Sequence, residues 1–348
     1  MRALYATKIG GDDPVANIEI GERPTPVPKA GEVRVRMQAA TLNRHDLFTL
    51  RGIVGYPITF PRILGCDGAG VIDAYGPDRP PGTPDPGSEV VLYPVTFCGK
   101  CNACQGDDPM LCRSWTLLSD GPLDGTFAEY VVLPALHAIQ KPASLSDVEA
   151  AALSVSMLTA YRMLFVKAGL RPGQSVLVQA AGGGVGTAAI MLAATAGINV
   201  IASSRSDAKL KIAQQLGAHE TVLAGKDAAK AIVRSTAGNG VDAVLETVGE
   251  ATWGTSLRAV KQGGCVVVAG ATSGPNPPAD LSRVFWRQLR ILGSSMGTLP
   301  EFLALLRFIT SKGIKPVIDS TYPLSEGREA FKRLADDNHT GKIGLRIA

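Results

Sequence analysis

Four of the six cysteines in this chain fall within one short stretch, Cys98-x2-Cys101-x2-Cys104-x7-Cys112, among Gly99, Lys100, Gly106 and Pro109. Thiolates at this spacing are suited to a tetrahedral zinc ion. A loop with so few core-forming residues needs a staple, and a four-thiolate zinc supplies one. All the ligands come from protein, so no coordination position is left for a substrate and the metal is expected to be structural. Iron–sulfur clusters also use four cysteines, but at other spacings. Left without metal, the same thiols would be exposed nucleophiles crowded into one loop. Cys265, in an apolar run, reads as core.

A second chemical element is glycine-rich. The apolar run Ser175–Gln179 leads into Ala180-Ala181-Gly182-Gly183-Gly184-Val185-Gly186 and then a helical pattern. In register this is A-x-G-x-x-G, with Ala181, Gly183 and Gly186 at the three fingerprint positions. Such a strand–turn–helix binds a dinucleotide: Gly183 admits the pyrophosphate to the backbone, Gly186 lets the helix pack on the strand, and the N–H groups of Gly182 to Gly186 face the anion. The next strand ends in Ala202-Ser203-Ser204-Arg205-Ser206, with no carboxylate before Asp207. A ribose 2′-hydroxyl would call for that carboxylate. Ser204, Arg205 and Lys209 suit a 2′-phosphate instead, so NADP(H) is the expected cofactor.

The elements that position these groups fall into two blocks. Arg2–Ile9, Val15–Ile20, Glu32–Ala40, Gly70–Ala74, Val90–Tyr93 and Phe127–Leu133 are short, partly alternating segments separated by Gly/Pro/Asp clusters, the pattern of a small antiparallel barrel or sandwich. Ser146-Asp147-Val148-Glu149 has the spacing of a capping box and opens an Ala-rich helix. From Ser175 strands alternate with helices: strands Ser175–Gln179, Asn199–Ser203, Val241–Glu246, Cys265–Ala269 and Arg290–Gly293, helices Gly184–Ala196, Asp207–Leu216, Asp227–Thr236 and Thr252–Val260. That alternation predicts a parallel sheet. Helices Glu301–Lys312 and Glu326–Asp336 and strand Ile343–Ile347 form a tail that returns to the first block. The expected division is 1–156, with the zinc lobe at about 95–115, then 157–291, then 292–348.

Composition narrows the classes further. A chain of 348 residues is about two domains long. With 45% hydrophobic residues and net charge +4 it is expected to fold, and its balanced charge drives neither nucleic-acid nor membrane binding. The longest uncharged run, Pro172 to Ser204, is broken by glycines and reads as strand, turn, helix and strand rather than a membrane span. Met1–Lys8 lacks the apolar core of a signal peptide. A cytoplasmic setting is expected.

Together these residues resemble the medium-chain dehydrogenase/reductase superfamily, its zinc-containing alcohol dehydrogenase-like and quinone oxidoreductase-like branch. Gly65-Cys66-Asp67-Gly68-Ala69-Gly70-Val71-Ile72, Gly125-Thr126-Phe127-Ala128-Glu129-Tyr130 and the glycine loop are similar to its signatures, and the cysteine lobe is similar to the structural zinc lobe of its alcohol dehydrogenases. The resemblance implies an α/β architecture: a GroES-like β-rich catalytic domain and a Rossmann doubly wound parallel-sheet domain. It also implies a homo-oligomer, dimer or tetramer, with sheets joined edge to edge. For Arg44 it implies a pyrophosphate contact and for Thr159 a place beneath the nicotinamide. Val248-Gly249, Gly270-Ala271 and Gly293-Ser294-Ser295 follow successive strands and are expected at the cofactor.

The catalytic zinc site is where the chain departs from the resemblance. The positions of the two cysteines and one histidine that hold that metal correspond here to Asn43, Val155 and Cys66. Asn and Val cannot replace thiolates, so a carbonyl lacks its Lewis acid. Conjugated substrates accept hydride more readily. The expected activity is NADPH-dependent reduction of quinones or α,β-unsaturated carbonyls, with Asn43 donating to the carbonyl oxygen, His45 protonating the product oxygen and Asp46 in a supporting hydrogen bond. Phe48, Ile53, Tyr56, Leu118, Phe285 and Trp286 are candidates for the pocket of a small-molecule substrate. Two other readings remain open: a zinc alcohol dehydrogenase with a rearranged site of His45, Cys66 and Asp67, and an NADP(H)-binding regulatory protein without catalysis.

Overall fold

Strand Glu32–Thr41 alternates buried Val33, Val35 and Met37 with more exposed positions and then runs wholly buried through Ala39, Ala40 and Thr41. It is the central strand of the first unit. The computed structural model describes residues 1–52 and 58–348. By contacts the chain divides into one unit of Met1–Ser156 with Thr298–Ala348 and a second of Met157–Gly297. The tail of the first unit therefore starts at Thr298.

In the first unit, Glu32–Thr41 pairs with Ala69–Tyr75, Tyr130–Pro134 and the tail strand Lys342–Arg346, all antiparallel. Strand Ile318–Pro323 lies parallel beyond the tail strand, and Glu89–Leu92 and Ala138–Gln140 extend the other side. A separate small sheet joins Arg2–Ala6, Ile18–Glu22 and Arg62–Ile63. One core holds residues from both ends of the chain: Leu4, Leu47 and Phe127 pack with Phe331 and Leu345. Phe127 and Phe331 meet edge to face with ring centroids 6.1 Å apart.

The second unit is a six-stranded parallel sheet in the order Glu220–Leu223, Asn199–Ser204, Ser175–Val178, Val241–Glu246, Val260–Val268, Arg290–Gly293. The order reverses direction at Ser175–Val178, the switch point at whose carboxyl end doubly wound sheets bind ligands. Leu177, Ile201, Val244 and Val266 fill its core with Ile232 and Leu257 from the helices.

Several elements differ from expectation for identifiable reasons. Pro14–Asn17 is a 3₁₀ turn rather than strand, because the Asp13 side chain accepts from Val15 N and Pro14 presets the backbone, and the strand starts at Ile18. Phe127 and Ala128 stay outside the strand Tyr130–Pro134, with Ala128 making a lone bridge to Ala3. Strands Glu220–Leu223 and Ile318–Pro323 are sheet edges with polar residues on them, so they lack the apolar signal. Helix Arg44–Arg51 is opened by Asp46, whose side chain accepts from Asn43 N while its N–H donates to the backbone oxygen of Asn43, and it is closed by Gly52 at φ +73°.

The Ser146 capping box is formed, with Ser146 N donating to Glu149 Oε2 at 2.7 Å and Glu149 N to Ser146 Oγ at 3.4 Å. The helical stretch continues through π turns to Lys167. Asp147–Lys167 is long and apolar enough to cross a bilayer by length and composition, and 72% of its most apolar window is buried inside the protein.

Candidate functional site: a cysteine cage, a polar cluster and a glycine loop

The four cysteines converge. Their sulfur atoms all lie within 4.8 Å of one another, with Cys98–Cys104 at 3.8 Å, Cys101–Cys104 at 3.5 Å and Cys98–Cys112 at 3.6 Å. A tetrahedron with zinc–sulfur bonds of about 2.3 Å has edges of about 3.8 Å, so the cage has the dimensions of the ion. Gly99 at φ +73° and the turn Asn102–Gln105 fold the loop back on itself. Backbone N–H groups, that of Lys100 first, hold the Cys98 thiol down at about 6, whereas burial and then the neighbouring thiols push that of Cys104 up to about 12. Among the described residues no other group of His, Cys, Asp and Glu has ligand spacing.

The polar cluster of the first unit is built by strand register. Gly344 faces Thr41 across the antiparallel pair of tail strand and Glu32–Thr41. Continuing that register by two residues on each strand brings Lys342 opposite Asn43, on the face Thr41 already occupies. Lys342 Nζ donates to Asn43 Oδ1 and, at 2.9 Å, to Asp67 Oδ2. The same Asp67 oxygen accepts from Thr41 Oγ1 at 2.8 Å and Asn43 Nδ2 at 2.9 Å. Asp67 and Lys342 are both buried, at 0% and 4% exposure. The Asp67 loop reaches this point because Gly65 takes φ +97° and a side chain on Gly70 would meet Arg36 O at 2.3 Å.

Asp46 and Cys66 complete the cluster. Asp46 Oδ2 accepts from Asn43 N at 2.7 Å. Burial pushes the Asp46 carboxyl up to about 6, against the charges of His45 and Lys342 and the Asn43 N–H. The Cys66 thiol, wholly buried, is driven well above its usual range by burial and then by Asp46, Asp67 and Asp120. Its sulfur is 3.8 Å from Asn43 Nδ2.

His45, the second residue of the helix, is bonded through Nε2 to buried Asp120 at 2.8 Å. Burial lowers its pKa, but the Asp120 hydrogen bond and the charges of Asp120 and Asp46 more than offset this, and the net shift is upward. Arg44 is paired with Asp337 Oδ1 at 2.7 Å. Of the pocket candidates, Leu118 is buried and Phe48 half-buried in this unit, Phe285 and Trp286 are exposed on the other unit, and Ile53 and Tyr56 lie outside the described residues.

In the second unit the glycine loop follows strand Ser175–Val178 and starts helix Gly184–Thr195. The first intrahelical bond is Thr187 N to Gly183 O, so the N–H groups of Gly184, Val185 and Gly186 precede the helical ladder and point out of its end. A side chain on Gly186 would meet Ala180 O at 2.4 Å, whereas one on Gly183 would find only an ordinary contact at 3.5 Å. Gly186 is thus required by packing, and Gly183 leaves an open approach for a phosphate. The aliphatic stem of Lys209 lies over Gly182. Ser204, at the strand end, accepts from Ser206 N at 3.2 Å, and Arg205 is exposed beside it. Gly270, Ala271, Ser294 and Ser295 follow the adjacent strands of the sheet, and Thr159 Oγ1 lies 3.9 Å from Met296 Sδ.

Three functional side chains escaped the sequence reading. Lys342 and Asp120 stand far along the chain from the residues they touch and belong to no recognisable spacing. Glu246 ends strand Val241–Glu246 fully buried and accepts from Val248 N at 2.8 Å, Gly249 N at 3.1 Å, Thr252 Oγ1 at 2.8 Å and Ser256 Oγ at 2.6 Å. It fixes the Val248-Gly249 turn. A carboxylate ending an apolar strand just before Gly249 was the available signal.

Comparisons with known proteins place the chain in a family. The alcohol dehydrogenase GroES-like domain family matches residues 29–143 and the zinc-binding dehydrogenase family residues 184–311. A zinc-type alcohol dehydrogenase-like protein of Schizosaccharomyces pombe is 33% identical over 325 residues, covering 91% of each chain. A crotonyl-CoA carboxylase/reductase of Cereibacter sphaeroides is 30% identical over 367 residues, 97% of this chain and 84% of the relative. The crystal structure of an NAD-dependent alcohol dehydrogenase matches with a TM-score of 0.94 at 39% identity, covering 100% of both chains. The chain belongs to the zinc-type alcohol dehydrogenase-like medium-chain dehydrogenase/reductases, and it is an oxidoreductase with a GroES-like and a Rossmann-like domain.

Proposed function

We propose that this protein is an NADPH-dependent reductase of quinones or α,β-unsaturated carbonyls whose zinc is structural only. The observation that carries the reading is the donor set of the polar cluster: Asn43, Cys66 and Val155 stand where a catalytic zinc would need two thiolates and a histidine, and the ammonium of Lys342 is already hydrogen-bonded to Asn43 and Asp67. The rearranged set of His45, Cys66 and Asp67 is poorly suited to a metal, since His45 Nε2 is held by Asp120 and Asp67 Oδ2 by Lys342. The resemblance to a crotonyl-CoA carboxylase/reductase supports a conjugated carbonyl as substrate.

Bound NADPH supplies the hydride. The electron pair displaced from the conjugated substrate collects on its oxygen, and the protein's task is to hold that oxygen and protonate it. Asn43 spends one amide hydrogen on Asp67; the other makes only long contacts, 3.5 Å to Thr41 O and 3.8 Å to Cys66 Sγ, and is the one it has to offer a carbonyl oxygen. His45, with Nε2 engaged by Asp120, delivers its proton from Nδ1. Asp46 holds the first turn of the helix that carries His45. Within the glycine loop Gly182 to Gly186, the N–H groups of Gly184, Val185 and Gly186 would take the pyrophosphate, and Thr159 with Val248, Gly249, Gly270, Ala271, Ser294 and Ser295 would line the rest of the cofactor. Cys98, Cys101, Cys104 and Cys112 hold one zinc, and a cytoplasmic setting keeps such thiols reduced.

The exposed strand Arg290–Gly293 ends the parallel sheet, with Ile291, Leu281, Phe285 and Trp286 exposed on and beside it. An open edge with apolar neighbours fits pairing with a second copy of the chain, giving a dimer or tetramer. Ile291→Lys is expected to lower the mass seen by light scattering, and an unchanged mass would place the interface elsewhere.

Purified protein is expected to contain one zinc per chain and to consume NADPH with a panel of enones and quinones. A content near two, with oxidation of simple alcohols, would instead make it an alcohol dehydrogenase, the activity named for the 39% identical structure. Fluorescence titration is expected to show NADPH binding tighter than NADH, and Ser204→Asp to reduce that preference by about 10–100-fold through loss of charge-assisted contacts and repulsion of the 2′-phosphate. Tighter binding of NADH to the wild type would contradict this.

The pH profile tests His45. Its proton is present below its raised pKa and lost above it, so the rate of reduction should fall on the alkaline side. Asp120→Asn removes what raises that pKa and should move the limb to lower pH. His45→Ala should lower kcat by about 10²–10⁴-fold and abolish the limb. An identical profile in His45→Ala would remove this residue from the mechanism.

A further inference from the structure

Lys342 is a buried cation with a defined set of partners that the activity above does not assign. Its Nζ donates to Asn43 Oδ1 and to Asp67 Oδ2, 299 and 275 residues away in the chain. An amide whose oxygen receives an ammonium N–H has only one sensible orientation: Oδ1 toward Lys342, Nδ2 toward Asp67 and Cys66. Asn43 also begins helix Arg44–Arg51, where its own N–H is held by Asp46. The ammonium thus reaches, through one side chain, the turn that carries His45.

We propose that Lys342 is a positioning residue: its ammonium fixes the orientation of Asn43 and, through Asn43 and Asp67, the place of the helix turn that presents His45. It rests on the reading above for the parts Asn43 and His45 take in the reaction. Neutralising Asp67 is part of what Lys342 does, since a wholly buried carboxylate needs a partner. Neutralisation alone, however, would be satisfied by removing both charges together. Asn43 Oδ1 would then still lack the ammonium N–H that fixes which way its amide points. This difference separates a positioning role from a merely compensating one.

Three proteins are compared: wild type, Lys342→Met, and the double variant Lys342→Met/Asp67→Asn. The single variant strands the Asp67 charge, so its Tm should fall. The double variant removes one charge of each sign, and its Tm should recover most of the loss. Its kcat should nevertheless stay about 10–100-fold below wild type, the scale on which misplaced catalytic groups lower rates, with KM for the carbonyl substrate changed far less. Amide hydrogen exchange over residues 43–51 should be faster than in wild type in the double variant. Recovery of kcat together with Tm would overturn the proposal and reduce Lys342 to a counter-ion. Full kcat in the single variant would overturn it too, as would unchanged exchange in the double variant or a double variant no more stable than the single. The kinetic comparison uses whichever hydride transfer the wild type performs, and the exchange measurement needs no substrate. A wild type that oxidises alcohols would therefore sink the reductase reading without deciding the role of Lys342.

Discussion

The antiparallel pairing of tail strand Lys342–Arg346 with Glu32–Thr41 is the constraint from which the first unit follows. It joins the tail to the central strand of the sheet, buries Ile343 and Leu345 against Leu42 and Phe331, and sets Lys342 opposite Asn43. A slip of one residue would turn Lys342 to the other face of the sheet and leave Asp67 without its cation. The polar cluster and the apolar core therefore specify the same register. Breaking a buried ion pair costs several kcal/mol, about 3–5 when one partner is removed, so a slipped register is penalised both by exposed leucines and isoleucines and by a stranded carboxylate.

Much of this was legible in the sequence, and the reason is locality. The cysteine cage is specified by four residues within one loop, and the glycine loop by a strand, a turn and a helix in succession. The Ser146 capping box and the buried strands Ser175–Val178 and Val241–Glu246 are equally local. What was not legible depends on long-range pairing. Lys342 is unremarkable in Thr340-Gly341-Lys342-Ile343 until the register of two distant strands is known, and Asp120 lies among glycines and prolines with nothing to tie it to His45. The edge strands escaped because an edge needs fewer apolar residues than a strand with two neighbours.

Glu246 illustrates an intermediate case. A carboxylate at the end of an apolar strand looks like an exposed charge, yet it is buried and accepts from two backbone N–H groups and two hydroxyls. Those donors compensate its burial, and in return the carboxylate dictates the path of Val248 and Gly249. Gly249 at φ +90° admits no side chain, because one would strike Gly274 O at 2.3 Å. A buried acid and an obligatory glycine together define the turn that follows strand Val241–Glu246. Neither alone would.

Comparing an ammonium with a metal ion indicates what chemistry the polar cluster can support. A zinc ion with two thiolates is neutral overall and keeps a coordination position for the substrate oxygen. Lys342 with Asp67 is likewise neutral, so the site can remain folded without a metal, but the ammonium's hydrogen bonds run to Asn43 and Asp67 and it has no vacant orbital to polarise a carbonyl. What such a site offers a substrate is hydrogen bonding and a proton. An unconjugated ketone has to place its developing charge on oxygen with little delocalisation and benefits most from a Lewis acid. An enone or quinone spreads that charge over its conjugated system before protonation, which is a task of the size that an amide N–H and an imidazolium can meet. On the proposed reading, a cluster that offers hydrogen bonds and a proton rather than a Lewis acid suits the conjugated substrate better than the simple ketone.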